Sequence, residues 1–212
     1  MDILKFLYLN FIPIAAILIP SLIYLAYRLF HTSFYRYIHY SQIPRSGFAF
    51  KGIVTKVGDG DGFKVVHIPA LRSNSTKNIP SLSVRLAAID APEVRYFDRP
   101  DQPFAQEARL FLKKMIFGKK VYVKAIKLDL YNRILAIVYV RKGLFQWKIV
   151  NLEMIKAGLA CVYESSYTTF GGMENIFRRE QEIAKYHKRG MWKDSSVILP
   201  MEFKKIHRKA MS

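Results

Sequence analysis

The sequence predicts an α+β chain: an OB-fold, five-stranded β-barrel with flanking helices, preceded by one N-terminal transmembrane helix. Three observations lead there. An uncharged, apolar run covers residues 6–27. Five short β-rich segments follow, with a helical pattern between the third and the fourth. Cys161 is the sole cysteine, so no intramolecular disulfide can staple the domain and its core must hold it. The predicted organisation is an anchor at 1–30, a juxtamembrane linker at 31–47, the barrel domain at 48–195 and a basic tail at 196–212.

The elements follow in order. A helix needs about 20 apolar residues to cross a bilayer core, and the run from Phe6 to Tyr27 meets that length. Pro13 and Pro20 lie inside it, which a membrane helix tolerates. Arg28, Arg36, Arg45 and Lys51 follow the run, and this basic flank keeps the C-terminal domain on the side of synthesis, cytosol or matrix. Residues 48–57 and 63–68 read as strands joined by the turn Asp59-Gly60-Asp61-Gly62. A polar loop covers 69–80 and a third strand 81–89. Phe104, Ala108, Phe111, Leu112 and Met115 show helical spacing within 103–117, which Gly118 ends. Strands are expected at 121–126 and 134–140, and helices at 149–157 and 175–187. The tail around Lys204 and Lys205 reads as a solvated, disordered end.

The chain carries 34 Lys and Arg against 16 Asp and Glu, a net charge of +18. That excess favours polyanionic partners, nucleic acid or an anionic membrane surface, and does not choose between them. One thiol cannot build a cysteine-based zinc site, and the five histidines show no ligand spacing. No small-molecule cofactor is expected.

Against this basic background two acidic clusters stand out: Asp59-Gly60-Asp61 at the turn and Asp90-Ala91-Pro92-Glu93 beyond the third strand. Arg85 and Arg133 bracket them. Phosphodiester hydrolysis needs a hard cation to polarise the phosphate, an acceptor to orient water, and fixed positive charge for the transition state. Asp61 and Asp90 are candidate Ca²⁺ ligands, Glu93 the water acceptor, and Arg85 and Arg133 the phosphate clamp. Taken singly, each residue has a structural alternative: Asp-Gly pairs make hairpin turns, Asp90 fits a cap, and either arginine fits a surface ion pair.

Taken together, Asp59-Gly60-Asp61, residues 84–93 from Val84 to Glu93, 102–108 from Gln102 to Ala108, 129–133 from Asp129 to Arg133, and Ala157-Gly158-Leu159-Ala160 resemble the ordered motifs of the staphylococcal nuclease (thermonuclease) family. Gly190-Met191-Trp192 resembles the family's closing Gly-x-Trp. The N-terminal span, Ile43-Pro44 and His67-Ile68-Pro69 are similar to a fungal, membrane-anchored mitochondrial branch of probable endonucleases.

The resemblance implies a Ca²⁺-dependent nuclease acting on DNA or RNA and leaving 3′-phosphate ends. It implies metal ligation by Asp61 and Asp90, water activation by Glu93, transition-state contacts from Arg85 and Arg133, and a nucleotide contact near Tyr131. Tyr163, which follows directly on a matched motif, is a further candidate for base stacking. Gly62 and Ala91 stand where the founding member has threonine; at the second position a backbone carbonyl suffices. The alternative is a membrane-tethered OB-fold module that binds nucleic acid or protein without cutting.

Overall fold

The computed structural model describes residues 16–26, 48–68, 80–94, 100–143, 146–165 and 168–209. Helix α1 is described over 16–26, and all its side chains are exposed, including Ile17, Leu22 and Ile23. Among the described residues no helix is long and apolar enough to cross a membrane. Most of the anchor expected at 1–30, all of the linker at 31–47 and nearly all of the loop at 69–80 lie outside the described residues.

The barrel domain is built from β1 (Ala49–Val57), β2 (Gly62–His67), β3 (Leu82–Leu86), β5 (Lys120–Leu128) and β6 (Ile134–Lys142). Strand β1 pairs antiparallel with β2 and β5, β2 with β3, and β5 with β6. The barrel closes where β6 returns parallel to β3, Arg85 opposite Leu135. These are the five strands the sequence predicts. Period-two burial explains them: in β3, Leu82, Val84 and Leu86 are buried while Ser83 and Arg85 stay partly exposed. Each apolar side chain so buried contributes roughly 1.5–3 kcal/mol.

The structure departs from the predicted third strand at one place. The span expected over 81–89 breaks at a turn, Ala87-Ala88, where Ala88 takes a left-handed φ of 64°. A separate two-residue strand, β4 (Ile89–Asp90), then pairs with β8 (Cys161–Val162). The physical reason lies across the core. Asn151, fully buried, donates from Nδ2 to the carbonyls of Ala87 at 2.9 Å and Ala136 at 3.0 Å, and accepts from the Val138 amide at 2.9 Å. An apolar strand continuation offers no such partner for a buried amide. Strand β7 (Gln146–Ile149) pairs antiparallel with β6 from Tyr139 to Lys142, beyond the part of β6 that meets β3.

Helix α2 (Ala105–Ile116) packs Leu112 and Ile116 into the barrel's end, and α3 (Val150–Lys156) packs Met154 and Ile155. Helix α4 (Glu174–Tyr186) seats Phe177 and Ala184 against α3. Gly158 and Gly190 meet backbone to backbone: both have positive φ, a Cβ on either would strike the other segment's carbonyl, and the Met191 amide donates to the Gly158 carbonyl at 2.9 Å. That contact is the structural content of the Gly-x-Trp motif. The tail does not stay solvated. Residues Pro200–Lys209 form α5, which buries Phe203. Leu199, Phe203 and Ile206 have the i, i+4, i+7 spacing of an amphipathic helix; Phe203 is the one of the three that is buried, while Ile206 stays exposed.

Candidate functional site

The β1–β2 turn and the end of β3 meet at the floor of one cleft. Asp59 Oδ1 accepts the Asp61 amide at 3.2 Å and shapes the turn. Gly60 is pressed so closely on Ala91 and Ala108 that a Cβ there would fall 2.6 Å and 2.8 Å from their methyl carbons. The Leu86 amide donates to the Asp61 carbonyl at 2.8 Å, locking the turn to β3. Only glycine lets the two segments approach this far.

That approach brings distant residues together. Arg85 Nη2 lies 2.8 Å from Asp61 Oδ2 and 2.7 Å from Asp90 Oδ1. Both carboxylates are almost fully buried, at 3% and 2% side-chain exposure, so one guanidinium bridges two charges that water does not solvate. The Arg85 pKa is raised, first by Asp61 and then by Asp90 against the opposing effect of burial. Asp90 is pushed above the usual carboxylate range by burial and by Asp61. Asp59 is pushed up to about 6 by burial and by Asp61. Burial first, and the neighbouring Asp61 second, thus work against the charged form of both carboxyls.

Glu93 stands at the rim, its amide held by Gln102 Oε1 at 3.1 Å. Its carboxylate receives Lys204 Nζ from α5 at 2.8 Å, and the same ammonium lies 2.8 Å from Asp90 Oδ1. Burial works against the Lys204 charge, yet Asp90 and Glu93 hold its pKa above the ordinary lysine value.

The opposite wall is the β5–β6 loop. Asp129 Oδ1 accepts the amides of Tyr131 at 2.8 Å and Arg133 at 2.9 Å, while Asp129 Oδ2 takes Arg133 Nε at 2.7 Å. The Arg133 guanidinium lies 5.4 Å from the Tyr131 ring centre. These donors outweigh the effect of burial and lower the Asp129 pKa. Tyr131 is 79% exposed and Tyr163 36% exposed, and both face the cleft.

The cleft measures about 710 Å³ and is lined by Arg85, Asp90, Glu93, Tyr131, Arg133 and Tyr163 among others, with Asp61 beneath. The residues picked from sequence thus share one concavity, walled by the first and last hairpin loops of a five-stranded barrel, the positions where OB-folds bind oligonucleotides. Arg133 joins the cleft but pairs with Asp129 rather than with the floor carboxylates. Cys161 is buried behind Asp90, its thiol 3.5 Å from the Asp90 carbonyl and pushed up to about 12 mainly by burial. It behaves as a small buried hydrophobe.

Among the described residues no group of three or more His, Cys, Asp and Glu side chains stands ready to hold a metal. The donor set here is two carboxylates, with backbone carbonyl and water left to complete a shell. One atom fits a cation directly: Asp90 Oδ2 is buried with no hydrogen-bond partner.

Sequence reading missed three residues: Gln102, Asn151 and Lys204. Asn151, set between Val150 and Leu152 on a helical pattern, and the tail's Leu199, Phe203 and Ile206 were the available signals. Gln102 carried none beyond its place as the first residue of a matched motif.

Fold and cleft together define an OB-fold barrel protein with a carboxylate–arginine site. The staphylococcal nuclease homologue family model matches residues 83–194. The chain is 35% identical over 207 residues to a protein named Probable endonuclease LCL3 of Candida glabrata, covering 78% of this chain and 80% of that one. It is 33% identical over 199 residues to the Komagataella phaffii protein of the same name, covering 85% and 86%. With the Coccidioides posadasii protein, identity is 42% over 158 residues, 67% of this chain but half the length of that relative. The chain belongs to the staphylococcal nuclease homologue family.

Proposed function

We propose that this protein is a membrane-anchored, Ca²⁺-dependent endonuclease that hydrolyses phosphodiester bonds of DNA or RNA. The observation that carries the reading is Arg85 bridging Asp61 and Asp90 at the floor of a cleft whose rim presents Glu93. A nucleic-acid substrate accords with the relatives' name and with the chain's net charge of +18.

Asp90 and Asp61 would hold the cation, which when bound supplies a Lewis acid for the phosphate oxygen. The rest of the chemistry belongs to the chain's own groups. Arg85, already fixed by two carboxylates, presents its remaining donors to a phosphate without reorganising. Glu93 orients the attacking water and takes its proton. Arg133 reaches from the opposite wall toward charge that builds in the transition state. Tyr131 and Tyr163 offer faces to the flanking bases.

The anchor belongs to the same proposal. The uncharged run over 6–27 and its basic flank support a single span in a mitochondrial membrane, with the barrel on the cytosolic or matrix side. Protease protection of isolated mitochondria reads that orientation: a barrel cleaved from outside intact organelles is cytosolic, and one protected until the inner membrane opens lies in the matrix.

The activity is tested on the full chain with single-stranded DNA and RNA, in Ca²⁺ and in chelator. Cleavage is expected only with Ca²⁺. Glu93→Gln is expected to lower it by about 10²–10⁴-fold, the range for a general base. Cleavage unchanged by chelator would overturn the metal assignment. Binding without cleavage under every condition would leave the non-catalytic barrel as the correct reading.

A further inference from the structure

The family motifs end at Trp192, yet the structure continues into α5, and α5 reaches the floor of the cleft. Its docking is specific. Phe203 is buried, and Gln102, itself 3% exposed, bridges the incoming segment to the rim: Nε2 donates to the Ile198 carbonyl at 2.7 Å while Oε1 accepts the Glu93 amide. One glutamine therefore sets both the position of Glu93 and the entry of α5. One residue beyond Phe203, the Lys204 ammonium sits 2.8 Å from Asp90 Oδ1 and 2.8 Å from Glu93 Oε1.

This is not an ordinary surface ion pair. The Asp90 oxygen that Lys204 contacts is the one Arg85 already occupies at 2.7 Å. Two cations converge on one buried carboxylate oxygen, and the other oxygen, Oδ2, has no partner. A divalent cation entering at Oδ2 would stand within a few ångström of the ammonium, and like charges at that range oppose each other's binding. The second Lys204 partner is Glu93, whose carboxylate must be open to receive a water. A single side chain thus touches both the metal ligand and the base.

We propose that Lys204 is an internal competitor of the divalent cation: α5 docks its ammonium on Asp90 and Glu93 when metal is absent, and metal binding displaces it. The docked helix sets how much Ca²⁺ the site needs, so Lys204 is an affinity-determining residue of this site. This rests on the reading that Asp61 and Asp90 hold the cation.

The test is Ca²⁺ binding to the full-length, metal-stripped chain, followed by titration calorimetry, with amide hydrogen exchange as a second readout. Lys204→Met keeps the apolar stem and removes the charge. Its Ca²⁺ dissociation constant is expected to fall about tenfold, the size of effect a like charge has at this distance. Lys204→Arg is expected to bind as weakly as the wild type, because the charge rather than the shape competes. In the wild type, Ca²⁺ is expected to speed exchange at the amides of 200–209 while the barrel strands slow. Equal affinity of wild type and Lys204→Met, tighter binding only in the wild type, or α5 amides unmoved by Ca²⁺ overturns the competition and leaves the metal site standing. Failure of both proteins to bind Ca²⁺ overturns the competition and the metal site together.

Discussion

The two arginines of the cleft are held by opposite strategies. Arg85 lies on a barrel strand, 15% exposed, between two buried carboxylates contributed by different segments. Arg133 lies in a loop, 32% exposed, against Asp129 only four residues away, with Tyr131 beneath it. The first is fixed by the fold as a whole. The second is fixed by its own turn. A charge held by long-range packing cannot be removed without injuring the packing, whereas a locally held charge can be removed cheaply. The floor should therefore couple catalysis to stability, and the loop should separate them.

The largest effect expected is from Arg85→Ala. It leaves Asp61 buried without its cation and Asp90 with Lys204 alone, so the metal-free protein should lose about 3–5 kcal/mol in urea unfolding, together with its cleavage activity. Arg133→Ala should lower cleavage by about 10²–10³-fold while costing under about 1 kcal/mol of stability. Equal stability losses for the two variants would break the comparison. Asp129→Asn should act more mildly: it retains an oxygen for the turn amides but weakens the hold on Arg133 Nε. Cleavage about tenfold lower, with KM little changed, is the result that sharpens it.

The two regions should also respond to pH with opposite sign. On the floor, Asp59 is pushed up to about 6, and Asp90 is also raised, so their folded pKa values exceed the unfolded ones. Such groups favour folding below about pH 4, and that contribution is lost as pH rises through about 6. Metal-free protein should thus lose on the order of 2 kcal/mol from Asp59 across this window. Ca²⁺ should restore it. In the loop, Asp129 is lowered, so its contribution is present above the unfolded value and lost only as pH falls through the folded one. Chemical denaturation from pH 4 to 7, with and without Ca²⁺, measures the difference; Asp59→Asn should flatten the metal-free curve and Asp129→Asn should not. Smallest of all, the buried Cys161 thiol, pushed up to about 12, should resist a thiol reagent at pH 8 in the native protein and react only after unfolding.

Much of this was legible in the chain because it is local. Alternating side chains in 82–86 declare a half-buried strand, Asp-Gly-Asp-Gly declares a tight turn, and Asp129 with Arg133 contains nearly all of its own geometry within five residues. The ordered motifs also named Asp61, Arg85, Asp90, Glu93 and Arg133 as one group, and the structure places all five in or beneath one cleft.

What tertiary structure alone decided was where the charges end up relative to one another. The break at Ala88 turns on a hydrogen bond from Asn151, 64 residues away from Ala87 in sequence. The approach of the turn to Asp90 turns on the room left beside Gly60 by Ala91 and Ala108. Lys204 reaches Asp90 across 114 residues, and a basic tail gives no local sign of the carboxylate it will meet. The chain by itself determined which charged groups exist and which short segments carry them, because propensity and periodicity act over a few residues. Their pairing, their desolvation and hence their pKa values belong to the folded molecule, because electrostatic energies depend on distance and burial rather than on separation along the chain.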